Sequence, residues 1–124
     1  MLQLDLSNSI FIPIPLHHAR ECERGFNQSE LVARQLGATL AIPVVAHALQ
    51  RIRATEPQAT NKKCSRETNV SGCFAVLDPA AIRGPRVLLV DDVTTSGSTL
   101  REATRALHAA GARQVIALVV ARAR

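Results

Sequence analysis

Aromatic residues, paired cysteines and long apolar runs are all scarce in this sequence. Its 124 residues include three Phe and neither Trp nor Tyr, so a base-stacking platform for single-stranded nucleic acid is poorly supplied. The three cysteines form no C-x-x-C pair, which argues against a disulfide framework or a structural zinc site. No apolar run approaches the roughly 18 residues of a membrane span, and the N-terminus lacks a secretory signal pattern. We therefore expect a cytoplasmic protein with reduced thiols and no membrane span.

The amino-acid composition indicates one globular domain over 1–124. Hydrophobic residues make up 47% of the chain, and the formal net charge is +5. The arginines are spread along the chain rather than gathered in one basic tract, so an anionic small molecule accounts for them as well as DNA does. Direct contact with nucleic acid is therefore not expected.

The apolar pattern predicts alternating strands and helices. Predicted strands cover 9–16, 44–49, 73–77, 86–92 and 113–121, and helices cover the stretch from Asn27 to before Pro43 and about 98–110. Residues 50–72 contain few apolar side chains and are predicted to form a flexible loop, and 78–85 a turn region. This order predicts an α/β fold with a mostly parallel sheet flanked by helices. The uninterrupted run at 86–92 is typical of a central strand buried on both faces.

Capping patterns accompany both predicted helices. Asn27 is a candidate N-cap with Glu30 three residues later, and Thr99 with Glu102 repeats that spacing. Gly111 suits the position just after the second helix. The first helix has an apolar residue every fourth position, which predicts its buried face; the residues are Val32, Leu36 and Leu40.

The stretch "VLLVDDVTTSGSTL" at 87–100 contains the main candidate ligand-binding residues. A turn rich in hydroxyls and glycine between a strand and a helix is typical of a phosphate site, because backbone N–H groups and the helix dipole favour an anion. Carboxylates repel phosphate, so Asp91 and Asp92 suit a diol or a hydrated Mg²⁺. A phosphate beside a vicinal diol describes a ribose 5-phosphate. The alternative is that both aspartates merely cap a turn.

This stretch resembles the phosphoribosyl pyrophosphate (PRPP) binding signature of type I phosphoribosyltransferases. The resemblance implies that Asp91 and Asp92 hold the ribose and act in catalysis, with Mg²⁺ arriving on PRPP rather than on protein ligands. It also implies a turn that binds the 5-phosphate, formed by Thr94, Thr95, Ser96, Gly97, Ser98 and Thr99.

Two further blocks narrow the resemblance to the ComF family of competence-associated proteins, which includes the GntX-type proteins. "PIPLHHARECERGFNQSELVAR" (13–34) implies a pyrophosphate loop with Arg20 and Arg24. "RIRATEPQATNKKCSRETNVSGCFAV" resembles the family block R-x-T-x-x-Q…R-x-x-N-V-x-G-x-F. The matching residues are Arg53, Thr55, Gln58, Arg66, Asn69, Val70, Gly72 and Phe74. This block implies a catalytic lid over 51–72, in which Arg66 neutralises the departing pyrophosphate together with Lys62 and Lys63.

Two departures from the family pattern are present. Asn61 stands where a leucine is usual, and the N-terminal zinc ribbon of family members is missing, so we expect a minimal or truncated version of the fold. One hypothesis is a Mg²⁺-dependent phosphoribosyltransferase that uses PRPP and a nitrogenous base. The other is a non-catalytic PRPP- or nucleotide-binding protein that acts in competence or DNA uptake through competence proteins as partners. A homodimer is expected, because so short a chain leaves sheet edges to cover.

Overall fold

The fold is built on a parallel sheet in which β4 is the central strand. The computed structural model describes residues 7–15, 27–52, 74–94 and 97–122. The elements are β1 (Ser9–Pro13), α1 (Gln28–Leu40), β2 (Leu49–Arg51), β3 (Phe74–Val76), α2 (Pro79–Ile82), β4 (Arg86–Thr94), α3 (Ser98–Ala109) and β5 (Val115–Arg122). The parallel sheet has the order β1-β4-β5, and β2 pairs with β3 in a separate antiparallel ribbon. The predicted α/β fold with a parallel sheet and flanking helices is confirmed.

Alternate residues of β4 enter two apolar cores, one on each face of the sheet. Val87 and Leu89 pack with Leu107 of α3 on one face, together with the β2–β3 ribbon and α2. Leu88 and Val90 pack on the other face with residues of α1 and of β1. All four β4 residues are at most 2% exposed, so the prediction of a strand buried on both faces is correct. Within the described ranges, no helix is long and apolar enough to cross a membrane.

Helix α1 approaches the sheet through small residues rather than through the predicted apolar stripe. Its buried residues are Ser29, Ala33 and Gly37, one per turn, whereas Leu40 of the predicted stripe is 47% exposed. A Cβ on Gly37 would lie 2.7 Å from the carbonyl oxygen of Ile42. Close approach of the helix backbone therefore decides which face is buried, and Val32 and Leu36 only flank that contact.

The predicted strand at 44–49 is wrong in position. Only Val44 pairs with β1, through one parallel bridge to Phe11. Phe11 N donates to the carbonyl oxygen of Pro43 at 2.8 Å, and Val45 N donates to that of Phe11 at 2.9 Å. The chain then turns, and β2 begins at Leu49 because its partner is the antiparallel strand β3.

Other boundaries also differ from the sequence-based expectation: β1 ends at Pro13 rather than at 16, and β4 continues past 92 to Thr94. Gln50 and Arg51, predicted as loop, belong to β2, and the remainder of the predicted loop from residue 53 lies outside the described residues. The predicted turn region at 78–85 contains the four-residue helix α2, which has Pro79 at its start. Proline suits that position because its fixed φ matches a helix and its missing N–H would have no helical partner there.

Helix α3 has the predicted span but not the predicted N-cap. Gly97, with φ of 79°, is the N-cap residue, and Thr99 and Glu102 lie inside the helix, so the second capping box is wrong. At the other end the prediction for Gly111 is correct. Its φ is 112°, its N–H donates to His108 O at 3.0 Å, and Ala112 N donates to Leu107 O at 3.0 Å. These two bonds form a Schellman motif.

Candidate functional site

The acidic pair lies at the carboxyl end of the central strand. Asp91 is paired with Val119 of β5 within the parallel sheet, and β1 ends one residue before its level, where Ile14 N donates to Val90 O at 2.8 Å. Ligands of open α/β sheets bind at this edge of the strands. The described geometry therefore places the predicted ribose-binding carboxylates at the edge where the fold class favours a ligand.

Asp91 is buried, and its surroundings disfavour the ionised form of its carboxyl group. Its residue exposure is 7%, although Asp92 is half-buried. Burial, and then the adjacent Asp92 carboxylate, raise the pKa of Asp91 to about 6. A hydrogen bond with the Asp92 backbone and the positive charge of Arg51 act in the opposite direction. At neutral pH Asp91 is therefore mainly ionised but sensitive to a nearby donor or cation.

The first turn of α1 is hydrogen-bonded to this pair. Ser29 Oγ donates to Asp91 Oδ1 at 3.4 Å and accepts from Asp92 N at 3.2 Å. Asn27 acts as the N-cap, as predicted, by accepting from Ser29 N at 3.0 Å. Its amide Nδ2 also donates to the carbonyl oxygen of Ile14 at 3.1 Å. The ends of β1, β4 and α1 are thus joined by buried side-chain bonds.

Glu30 takes a different role from the one its spacing suggested. Its carboxylate pairs with Arg34 in the next turn, with Oε2 2.9 Å from the Arg34 side chain. This is an exposed i,i+4 pair on the helix surface, of the kind that contributes little to stability.

Arg51 supplies positive charge to the site from the other side of the sheet. It is the last residue of β2, and its guanidinium carbon lies 5.1 Å from the centre of the Phe74 ring. Phe74 is its register partner in β3 and belongs to the core that covers α3. Stacking on an aromatic face orients an arginine without removing its charge. Arg51 therefore contributes a fixed cation near Asp91.

The start of α3 offers backbone donors without a capping side chain. Gly97 makes no side-chain cap bond, because it has none to make, and its carbonyl oxygen accepts from Arg101 N at 2.9 Å. The N–H groups of the first helical turn have no partners inside the helix. Ser98 and Thr99 are half-buried in that turn. Such an arrangement suits an anion.

The remaining predicted site residues divide into two groups. Thr94 is the last residue of β4, and Gly97, Ser98 and Thr99 are placed at the start of α3 as expected. The others lie outside the described residues, and their roles stay predictions; they are Arg20, Arg24, Lys62, Lys63, Arg66, Thr95 and Ser96.

Ser29 and Arg51 are two site residues that the sequence did not reveal. Ser29 shares a four-residue spacing with Ala33 and Gly37, and that series of small residues could have marked the buried face of α1 and the polar residue at its start. Arg51 carries no such signal, since only the pairing of β2 with β3 brings it near Asp91.

Comparison with known proteins identifies the family and the fold. Residues 23–124 match the model of the family described as "Phosphoribosyl transferase domain". The fold is similar to that of a glutamine PRPP amidotransferase from B. subtilis, solved in complex with ADP and GMP, with a TM-score of 0.60 over 90% of this chain and 22% of that one. Sequence identity there is 21%, so the similarity concerns the fold. The chain belongs to the phosphoribosyl transferase domain family and has the type I fold.

Its similar relatives carry competence and DNA-utilization names. Competence protein F of Haemophilus influenzae is 36% identical over 122 residues, covering 98% of this chain and 53% of that protein. DNA utilization protein YhgH of Escherichia coli K12 is 35% identical over 84% of this chain and 45% of its own length. Competence protein ComFC of Bacillus subtilis is 36% identical over 79% and 38%. Membership of the ComF group is therefore confirmed, and the chain spans about half the length of these relatives.

Proposed function

We propose that this domain binds PRPP with Mg²⁺ at the carboxyl edge of the sheet and transfers its phosphoribosyl group to a nitrogenous base. The observation that carries the proposal is the placement of two carboxylates near the carboxyl end of β4, in the strand that leads to a helix start whose N-cap residue, Gly97, has no side chain. Carboxylates accept hydrogen bonds from a diol, whereas backbone N–H groups bind a phosphate. The two parts suit the two ends of one ribose 5-phosphate.

In the proposed reaction the protein orients PRPP and stabilises separated charge. The acceptor nitrogen forms a bond to the anomeric carbon, while the bond from that carbon to pyrophosphate oxygen breaks and its electron pair leaves with the pyrophosphate. The acceptor nitrogen then loses its proton to solvent. Asp91 and Asp92 hold the ribose hydroxyls and stabilise positive charge that develops on the ring. Arg20, Arg24 and Arg66 are proposed to contact the pyrophosphate.

The acidic pair fits a metal that arrives with the ligand. Two adjacent carboxylates, with the pKa of Asp91 raised to about 6, gain from a nearby positive charge. A hydrated Mg²⁺ carried by PRPP needs few protein ligands. When bound, Mg²⁺ would neutralise the pyrophosphate as it leaves.

Calorimetric titration with PRPP and Mg²⁺ tests the proposal. The Asp91→Asn/Asp92→Asn double variant should lose measurable binding, because amides accept fewer hydrogen bonds and carry no charge. Asp78→Asn is the matched control, since Asp78 is exposed and makes no side-chain cap bond. Absence of binding by the unaltered protein, or equal binding by the double variant, would contradict the proposal.

A binding role without turnover is the second candidate, and the competence and DNA-utilization names of the relatives favour it. In that case the domain binds PRPP or a nucleotide and acts through competence proteins. Pyrophosphate release on addition of candidate bases separates the two. Release that depends on the acidic pair supports the enzyme, whereas tight PRPP binding with no release for any base supports the binding role.

A further inference from the structure

The Ser29 hydroxyl is a buried group whose two described hydrogen bonds both reach the acidic pair. The residue is 3% exposed. Its Oγ donates to the Asp91 carboxylate at 3.4 Å and accepts from the Asp92 backbone N–H at 3.2 Å. One bond restrains the orientation of a carboxylate, and the other fixes the backbone between the two acidic residues.

Ser29 is itself held in place from the opposite direction. Its backbone N–H donates to Asn27 Oδ1 at 3.0 Å, and Asn27 Nδ2 donates to the carbonyl oxygen of Ile14 at 3.1 Å. The hydroxyl is thus attached to β1 through Asn27 and to α1 through its own backbone. Two rigid elements therefore determine its position relative to β4.

The buried face of α1 shows that a hydroxyl is not needed for packing. Ala33 and Gly37 occupy the same face one and two turns later, and Ala33 is fully buried. A small apolar residue is therefore sufficient to fill the gap between this helix and the sheet. Only the turn that is level with the acidic pair carries a polar group on this face.

We propose that Ser29 is a positioning residue, which fixes the acidic pair at the end of β4 for ligand binding through its two hydrogen bonds. The inference rests on the proposed function, because the pair is taken to bind the ribose of PRPP. Ser29 need not touch the ligand. Its effect is to hold Asp91 and the Asp92 backbone in one arrangement before binding, so that this ordering does not oppose association.

The test uses Ser29→Ala and Ser29→Thr, with Thr39→Ala as the matched control. Thr39 lies on the same helix, is exposed, and donates its hydroxyl to Gln35 O at 3.0 Å, away from the acidic pair. Two readouts are needed: hydrogen exchange of the Asp92 amide in the ligand-free protein, and the dissociation constant for PRPP with Mg²⁺.

In Ser29→Ala we expect the Asp92 amide to exchange faster and the PRPP affinity to fall, each by roughly threefold to tenfold, as for loss of one or two hydrogen bonds. The melting temperature should not fall in parallel, since alanine favours the helix. Ser29→Thr should restore both quantities at least in part, and Thr39→Ala should change neither.

Unchanged Asp92 exchange in Ser29→Ala would overturn the inference whatever the affinity. An affinity loss that Thr39→Ala reproduces would also overturn it, because the effect would then belong to the helix as a whole. If the unaltered protein fails to bind PRPP, the proposed function fails, and the Asp92 exchange alone then decides whether Ser29 holds the acidic pair.

Discussion

The two long helices each follow a parallel strand at the same edge of the sheet, yet they begin and pack differently. Helix α1 has Asn27 as its N-cap residue, and the side chain of Asn27 caps the first turn and also bonds to Ile14, the residue that follows β1. Helix α3 starts at a left-handed glycine with no capping side chain. The first helix start is capped by a side chain of the protein, whereas the N-cap residue of the second has no side chain, and we propose that this second start binds the phosphate. The same strand-to-helix connection therefore ends in a side-chain cap at α1 and in a left-handed glycine at α3.

The two helices also differ in how they pack against the sheet. α1 lies close to the sheet through Ser29, Ala33 and Gly37, so its position relative to β4 is set by backbone approach. α3 is joined to the sheet by the larger Leu107, with Ala103 one turn earlier. We expect substitutions on the buried faces of the two helices to lower the free energy of unfolding for opposite reasons, by overpacking in α1 and by cavity formation in α3.

The largest effect is expected from Leu107→Ala in α3. Leu107 is fully buried among the residues of the larger core, so truncation removes apolar contacts and leaves a cavity. The free energy of unfolding should fall by about 3 kcal/mol. Leu40→Ala in α1 is the control, because that side chain is 47% exposed. Urea unfolding measures both, and equal losses would contradict the proposed difference between the helices.

Asp91 at the end of β4 should make stability fall as the pH rises. Its pKa is 3.8 as an ordinary carboxyl and about 6 in the fold, so the folded state binds more protons between these values. This contribution is fully present below pH 3.8 and is lost as the pH rises through 6, and the loss amounts to about 3 kcal/mol.

Asp91→Asn removes that penalty and should be more stable than the unaltered protein above pH 6, with the advantage fading toward pH 4. Thermal unfolding across this pH range measures the difference. If Asp91→Asn is less stable than the unaltered protein at pH 7.5, the hydrogen bonds of the Asp91 carboxylate contribute more to stability than the desolvation of its charge costs. A ligand that needs ionised Asp91 should bind more weakly below pH 6 in the unaltered protein.

Gly37→Ala tests the close approach of α1. The added Cβ would meet Ile42 O and Val44 Cγ2, each at 2.7 Å, and the backbone oxygen cannot easily move. We expect a loss of about 2 kcal/mol, although alanine favours a helix by about 1 kcal/mol over glycine. At Gly84 an added Cβ meets nothing within 4 Å, so Gly84→Ala should be close to neutral. A stabilising Gly37→Ala would refute close packing here.

The smallest effect is expected at the cap of α1. Asn27→Ala removes the acceptor for Ser29 N and the donor to Ile14 O, which should cost about 1 to 2 kcal/mol. Asn27→Ser keeps a capping oxygen but not the bond to β1, and should recover part of the loss. Chemical denaturation of the three proteins checks the order, and identical values for both variants would assign the effect to the β1 bond alone.

The elements that the sequence predicted well are those whose signals are local. Asn27 caps α1 because its side chain reaches a backbone N–H two residues away, and Gly111 ends α3 because a left-handed residue is needed there. The buried strand that contains Asp91 and Asp92 and the helix that follows it were predicted for the same reason, since both segments are contiguous in "VLLVDDVTTSGSTL".

Errors arose where several conformations were locally acceptable. Residues 44–49 are apolar enough for a strand, but only Val44 has a partner beside β1, so the chain turns and pairs elsewhere. The spacing of Thr99 and Glu102 also matched a capping box, but Gly97 begins the helix earlier. Ser29 and Arg51 were not predicted as site residues, because their interactions with Asp91 join residues far apart in the chain.

The strands β4 and β5 show where the sequence stops being informative. Both contain an uninterrupted apolar run, yet the run in β4 is buried on both faces while Val120 of β5 is 63% exposed. By itself, the sequence determined that the chain alternates strands and helices and that two carboxylates lie near the end of one buried strand, because these follow from side-chain periodicity and local backbone chemistry. Only the tertiary structure decided which strand pairs with β2, which face of α1 is buried and which groups surround Asp91. Those outcomes depend on the pairing of distant segments, which local propensity does not encode.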